Sequence, residues 1–160
     1  KEIWFDNGGF SLLSYACVYN NVEVVRSVLA ELEDIADKRT RSRYIASRAS
    51  KDGAIRFGIP GNMTTLMLAS AFASTEILEM LLKYGADPYA VDKKGLDIVM
   101  FASMFGRIEN LKFLFQNFPN WNIERKDNVV GGNVRSYSIK TLTFTYIRSF
   151  TYHLTFTKNI

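Results

Sequence analysis

The sequence predicts an all-α solenoid of about three helix-turn-helix repeats, on three observations. First, residues 64–95 and 97–125 carry the same pattern at an offset of 33 positions. Leu66 pairs with Val99, Ala69 with Ala102, Ser70 with Ser103, Phe72 with Phe105, Glu76 with Glu109, Leu78 with Leu111 and Leu81 with Leu114. A fixed period in this range marks stacked units, none of which can bury its apolar face alone. Second, Ser11, Thr64 and Asp97 share one slot, and each can cap a helix by accepting from an orphan N–H. Third, each cap opens a short apolar helix followed by a second one, around 22–32, 75–84 and 108–117. The linkers between paired helices are short, so the pairs run antiparallel.

Taken in order, repeat 1 spans about 6–33: Asp6-Asn7-Gly8-Gly9, then Ser11-Leu12-Leu13-Ser14-Tyr15-Ala16-Cys17, then Glu23-Val24-Val25 and Val28-Leu29. From Leu13 to Leu66 is 53 positions, one step of 33 with 20 extra, which places an insertion at about 34–60. The insertion is basic, with Lys38, Arg39, Arg41, Arg43, Arg48 and Lys51, and a charge run of this kind reads first as a solvated loop. Lys51-Asp52-Gly53 would allow a hairpin finger within 47–59, and Arg39-Thr40-Arg41-Ser42 is a weak basophilic phosphorylation motif. Repeat 2 covers about 61–94 and ends its second helix at Gly85, a residue that tolerates the left-handed C′ conformation. Repeat 3 covers about 95–127. Leu66, Ala69, Leu78, Leu81, Val99, Ala102, Leu111 and Leu114 are the expected core.

The text inside the period resembles the ankyrin repeat family. Thr64-Thr65-Leu66-Met67-Leu68-Ala69-Ser70, Glu76-Ile77-Leu78 and Leu81-Leu82-Lys83-Tyr84-Gly85-Ala86-Asp87 follow its consensus, and Asp92-Lys93-Lys94-Gly95 supplies the link to the next copy. The resemblance spans 6–125 apart from the insertion, and it implies β-turn fingers between units. Departures are equally specific. Met67, Met100 and Ser14 stand where the family has histidine, so the turn hydrogen bonds of that residue should be missing. The interhelical glycine survives only as Gly106, with Asn20 and Ala73 in the other units. A left-handed alanine at 73 would cost roughly 1 kcal/mol or more. Phe118-Pro119 replaces Gly-Ala after the last clear copy.

Beyond Asp127-Asn128-Val129-Val130-Gly131-Gly132 a fourth unit is due, but no cap-plus-Leu-x-Ala pattern follows. Residues 134–160 read instead as an atypical, irregular tail. Thr141, Thr143 and Thr145 alternate with Leu142, Phe144 and Tyr146, a period of two that indicates strand. Either the tail is a β-rich cap or it is foreign to the domain, such as a translated non-coding stretch. Its loss of acids, Ala and Gly favours the second, and little contribution to the repeat core is expected.

Composition excludes more than it assigns. The chain has 160 residues with 20 Lys+Arg against 16 Asp+Glu, and all the acids lie at or before Asp127. Four cations (Arg135, Lys140, Arg148, Lys158) fall in the tail, so the repeat body is balanced and carries no basic stripe. No apolar run is long enough to span a membrane. Lys1-Glu2-Ile3-Trp4-Phe5 holds no h-region and no initiator Met, which is consistent with a piece of something longer. One cysteine cannot form an internal disulfide, and a cytoplasmic location, with the nucleus as the alternative, is expected.

Catalytic chemistry has little to build on. The single histidine, His153, lies in the tail, Cys17 sits in a core slot, and zinc would need several Cys or His. Asp87, Asp92 and Asp97 lack calcium-loop spacing, and Gly8-Gly9 lacks the Lys-Ser/Thr of a phosphate loop. The expectation is no enzyme, no metal and no cofactor. The resemblance implies a protein-interaction module that grips another protein with its concave helix face and finger tips. On that implication the partner-binding residues are Val18, Tyr19, Ala71, Phe72, Met104 and Phe105 ahead of the interhelical turns, with Tyr84, Lys93, Lys94 and Leu96 toward the tips. The alternatives are an anionic-surface binder, for nucleic acid or acidic lipid, using the insertion and tail, or a regulatory fragment of a larger enzyme. Salt dependence would distinguish the first of these.

Overall fold

A computed structural model describes residues 5–34, 37–48 and 61–138. Among these, helices α1 (Leu12–Val18), α2 (Val22–Glu33), α3 (Lys38–Ile45), α4 (Thr65–Phe72), α5 (Thr75–Lys83), α6 (Ile98–Met104), α7 (Ile108–Asn117) and α8 (Val134–Ser138) follow in order. No strand is formed among the described residues, only isolated bridges at Phe5–Ser11 and Arg48–Thr64. The first helices of successive units stack as one layer, α1 on α4, α4 on α6 and α6 on α8. The second helices form the other layer, α2 on α5 and α5 on α7.

The caps do what the sequence requires of them. Ser11, Thr64 and Asp97 each accept from the N–H three residues on, at 3.1, 3.2 and 2.8 Å. All eight expected core residues are buried, Leu81 and Leu114 completely. Each leucine or valine among them is worth about 1.5–3 kcal/mol in burial. The residue ahead of each cap, Phe10, Met63 and Leu96, also turns inward and is at most 3 % exposed. An apolar residue at that position closes over the first helical turn.

Three expectations change. The interhelical turn at 73 avoids strain instead of bearing it. Asn20 (φ 53°) and Gly106 (φ 66°) turn left-handed and close Schellman motifs, with Asn21 N–H donating to the Ala16 carbonyl and Arg107 N–H to that of Ala102, both at 2.8 Å. Ala73 is extended instead, at φ −92°, ψ 173°. The carbonyls this leaves open are met from the next unit. Arg107 donates to the Ala73 oxygen at 2.8 Å, while Asn110 donates to both Ala73 and Ser70 at 3.0 Å. From the other side the Asn20 side chain accepts the Ser74 N–H at 2.8 Å. A turn without glycine is thus held by polar side chains of both neighbours.

The insertion is not wholly a solvated loop. Residues 38–45 form α3, capped by Asp37, with Tyr44 and Ile45 buried in the core. Arg48 then donates to the Asn62 and Val91 carbonyls at 2.9 and 2.8 Å. Most of the suggested hairpin within 47–59 lies outside the described residues.

The first residues of the expected tail also pack on the core, since Val134–Ser138 form α8, with Val134 and Ser138 completely buried. Asn133 accepts the Ser136 N–H at 3.1 Å, the capping bond of the other units. Residues 134–138 thus stack on α6 where a next first helix would lie, whereas the alternating segment from 141 onward lies outside the described residues. In place of the family histidines, Ser14 shares a hydroxyl contact with Thr65 at 3.3 Å across units. The Met67 sulfur stands 3.4 Å from the Thr64 nitrogen.

Candidate interaction surface

The residue that closes each first helix is aromatic: Tyr19, Phe72 and Phe105. The helical layer puts them at one level because their caps are equivalent. Phe72 and Phe105 meet edge to face, with centroids 4.8 Å apart. Tyr19 is 69 % exposed and Phe105 37 %, while Phe72 is half-buried between them. Beside Tyr19 a hollow of about 170 Å³ is lined by Leu12, Tyr15, Ala16, Asn21 and Val24. Val18 and Met104 are half-buried next to the row.

Two expected contact residues are not available there. Ala71 is 2 % exposed, because the middle unit has neighbours on both sides. Leu96 is 3 % exposed, because it packs inward ahead of the Asp97 cap. Tyr84 belongs to the other layer, where its hydroxyl donates to Glu33 at 2.5 Å and ties α5 to α2. Lys93 and Lys94 are exposed in the turn between repeats 2 and 3, apart from the aromatic row in sequence and element.

Those inter-unit turns share one construction. Asp6, Asp92 and Asp127 each close the turn by a backbone N–H bond, to Phe10 at 3.0 Å, Leu96 at 3.0 Å and Gly132 at 2.8 Å. Each also accepts two backbone N–H groups on one carboxylate oxygen. Adjacent turns are linked by the Asn128 N–H donating to the Lys94 carbonyl at 2.7 Å. Arg125 braces the same region, reaching the Gly95 carbonyl at 2.8 Å and the buried Asp97 carboxylate at 2.5 Å. The last turn exposes Val129 and Val130 at 63 % and 76 %. Sequence reasoning passed over these two valines. Their only signal was an apolar pair in a slot that holds Lys93-Lys94 one unit earlier.

The family model for ankyrin repeats (many copies) matches residues 66–115. Over those residues the chain is similar to ankyrin repeats. The matched stretch runs from α4 to α7, the two units in phase at 33 positions. Ankyrin repeats generally mediate protein–protein interaction. A search of curated proteins finds no match to the chain. Among the described residues no helix is long and apolar enough to cross a membrane, and no group of three or more His, Cys, Asp or Glu could hold a metal ion.

Proposed function

We propose that the chain is a non-catalytic interaction module that binds a partner protein across the Tyr19–Phe72–Phe105 row. The observation that carries the reading is the exposure of Tyr19 and Phe105 at one helical level, with the Phe72 ring between them. Aromatic side chains offer large area at low conformational cost and are enriched among interface hot spots. Val18 and Met104 flank the row, and Lys93, Lys94 and the Val129-Val130 pair extend the surface at the turns. A reducing compartment, cytoplasmic or nuclear, suits Cys17, whose buried thiol has its pKa pushed up by desolvation.

The test is capture of a partner from cell lysate by the wild type, Phe72→Ser/Phe105→Ser and Tyr19→Ser. Both variants should lose the captured species. Because Phe72 is half-buried, Tyr19→Ser is the decisive arm, and its melting curve should match the wild type. Capture that survives Tyr19→Ser and the double variant would remove the row from the site.

A further inference from the structure

The insertion carries a second surface, distinct from the aromatic row. Helix α3 spans 8 residues, and its buried side is set by Tyr44 and Ile45. Half-buried Arg41 lies between these two on the helical wheel and reaches the Glu33 carbonyl at 3.4 Å. At 100° per residue the far arc presents Arg39, Ser42 and Arg43, with Lys38 at its edge beside Ile45, all exposed. Lys38, Arg39 and Arg43 form no close ion pair with any described carboxylate, although Asp37 feels the Arg43 charge.

That arc works against its own helix. Lys38 and Arg39 sit in the first turn, at the positive end of the helix dipole, and Arg39 and Arg43 repel as an i,i+4 like-charge pair. The helix holds because Asp37 caps it through the Arg39 and Thr40 N–H groups at 2.9 and 3.2 Å and because Tyr44, in ring contact with Phe5, anchors it. Local choices that oppose the fold and are held in place by the surrounding structure mark functional positions.

We propose that the Lys38–Arg39–Arg43 arc docks a short acidic segment of a partner protein, its carboxylates taken by the two guanidinium groups and the ammonium. Arginine forks match carboxylates in geometry as well as charge. The size of the arc selects a peptide over a polyanion. Eight helical residues extend only about 12 Å. The flanks are acidic, with exposed Glu31, Glu33, Asp34 and Asp37 at the adjoining end of α2 and the cap. A nucleic acid backbone running past the arc would meet those carboxylates.

The experiment is fluorescence anisotropy of the full chain with a labelled five-residue peptide, Glu-Gly-Glu-Gly-Glu, about 16 Å when extended, at 50 and 300 mM salt. Binding should weaken at least tenfold at the higher salt and at least tenfold in Arg39→Glu/Arg43→Glu. It should survive within about threefold in Arg39→Lys/Arg43→Lys and be unchanged in Lys126→Glu, an exposed cation elsewhere. Circular dichroism checks that α3 variants stay folded, and the conservative pair serves as the second arm if charge reversal unfolds the helix. Absence of salt-dependent binding overturns the proposal, as does equal binding by the charge-reversed variant, which would move the site to the basic tail. Tighter binding of a 20-nucleotide RNA or of anionic vesicles, lost in the same variant, would replace the peptide with a polyanion and also overturn it.

Discussion

The turns at 92–96 and 127–132 start from the same aspartate and reach opposite electrostatic outcomes. Asp127 accepts Val129 and Val130 N–H on one oxygen and the Tyr137 hydroxyl at 2.8 Å on the other. Asp92 accepts Lys94 and Leu96 N–H on one oxygen, and its second oxygen, though buried, has no partner. The first turn sides with Asp127, since Tyr15 donates to Asp6 at 2.6 Å. Tyr15, Phe101 and Tyr137 each stand four residues after their cap, so a single hydroxyl, absent at Phe101, separates the turns. Burial raises the carboxyl pKa of Asp92 despite its two backbone donors. Burial pushes Asp127 up as well, but hydrogen bonds from Val130, Val129 and Tyr137 outweigh it and bring the value down to about 2. What decides whether a buried turn carboxylate helps or hurts is the slot opposite its second oxygen, not its own position.

The largest test removes each carboxylate. Asp127→Ala should cost about 2–3 kcal/mol, since hydrogen bonds to a charged acceptor are worth about 1.5–3 kcal/mol. Asp92→Ala should cost only about 1 kcal/mol, because losing two N–H bonds is partly offset by removing a buried orphan oxygen. Urea unfolding with unchanged m-values would report both. Equal losses would mean that the two turns differ in appearance only.

Removing the hydroxyl alone is the next step down. Tyr137→Phe and Tyr15→Phe should each cost about 1.5 kcal/mol, both being half-buried donors to a carboxylate. A loss confined to Tyr15→Phe would show that α8 adds no stability and would support a boundary at 133/134.

How much of this was legible depends on whether the cause lay inside one unit. The core, the three caps and the second helices were readable because each slot recurs, at 33 residues between the last two units and at 33 plus the 20-residue insertion between the first two, and burial repeats with it. The turn at Ala73 was not, because its carbonyls are satisfied by Arg107 and Asn110 from another unit. Helix α8 escaped because Val-Arg-Ser-Tyr-Ser lacks the Leu-x-Ala text, although Asn133 in the cap slot and Tyr137 in the Tyr15 slot were visible. On the proposed surface, the common level of the aromatic row was visible in its spacing, whereas the burial of Ala71 and Leu96 came from neighbours on either side and from inward packing ahead of a cap. The basic insertion looked like a solvated run because charge dominates its composition, and two buried residues, Tyr44 and Ile45, were enough to dock it.

Supplying the missing hydroxyl runs the comparison in reverse. Phe101→Tyr should stabilise the protein by about 0.5–1.5 kcal/mol, the net value of a new hydrogen bond to a previously unpaired acceptor. Phe101 is completely buried, so the added oxygen must fit where Tyr15 and Tyr137 place theirs. Paired with Asp92→Ala, the gain should vanish, and a double-mutant cycle isolates that coupling. A gain that persists without Asp92 would come from packing and would detach it from the carboxylate.

The smallest effect is that of Asp92 on the pH dependence, where the two aspartates should pull in opposite directions. The folded pKa of Asp127, at about 2, lies below the unfolded value of about 3.9. Its contribution is therefore full above about pH 4 and is lost as pH falls toward 2. Asp92 has its folded pKa raised, so its charged form is a liability at neutral pH that protonation relieves on acidification. Relative to wild type, Asp92→Asn should look best at pH 7, by a few tenths of a kcal/mol, since its Oδ1 can keep both N–H bonds while the buried charge is gone. That advantage should shrink as wild-type Asp92 takes up its proton. Asp127→Asn should show the mirror image, a deficit at pH 7 that closes in acid. Urea midpoints measured from pH 7 to 2.5 for the three proteins would decide it, and parallel curves for the two variants would contradict the assignment of the orphan oxygen to Asp92 alone.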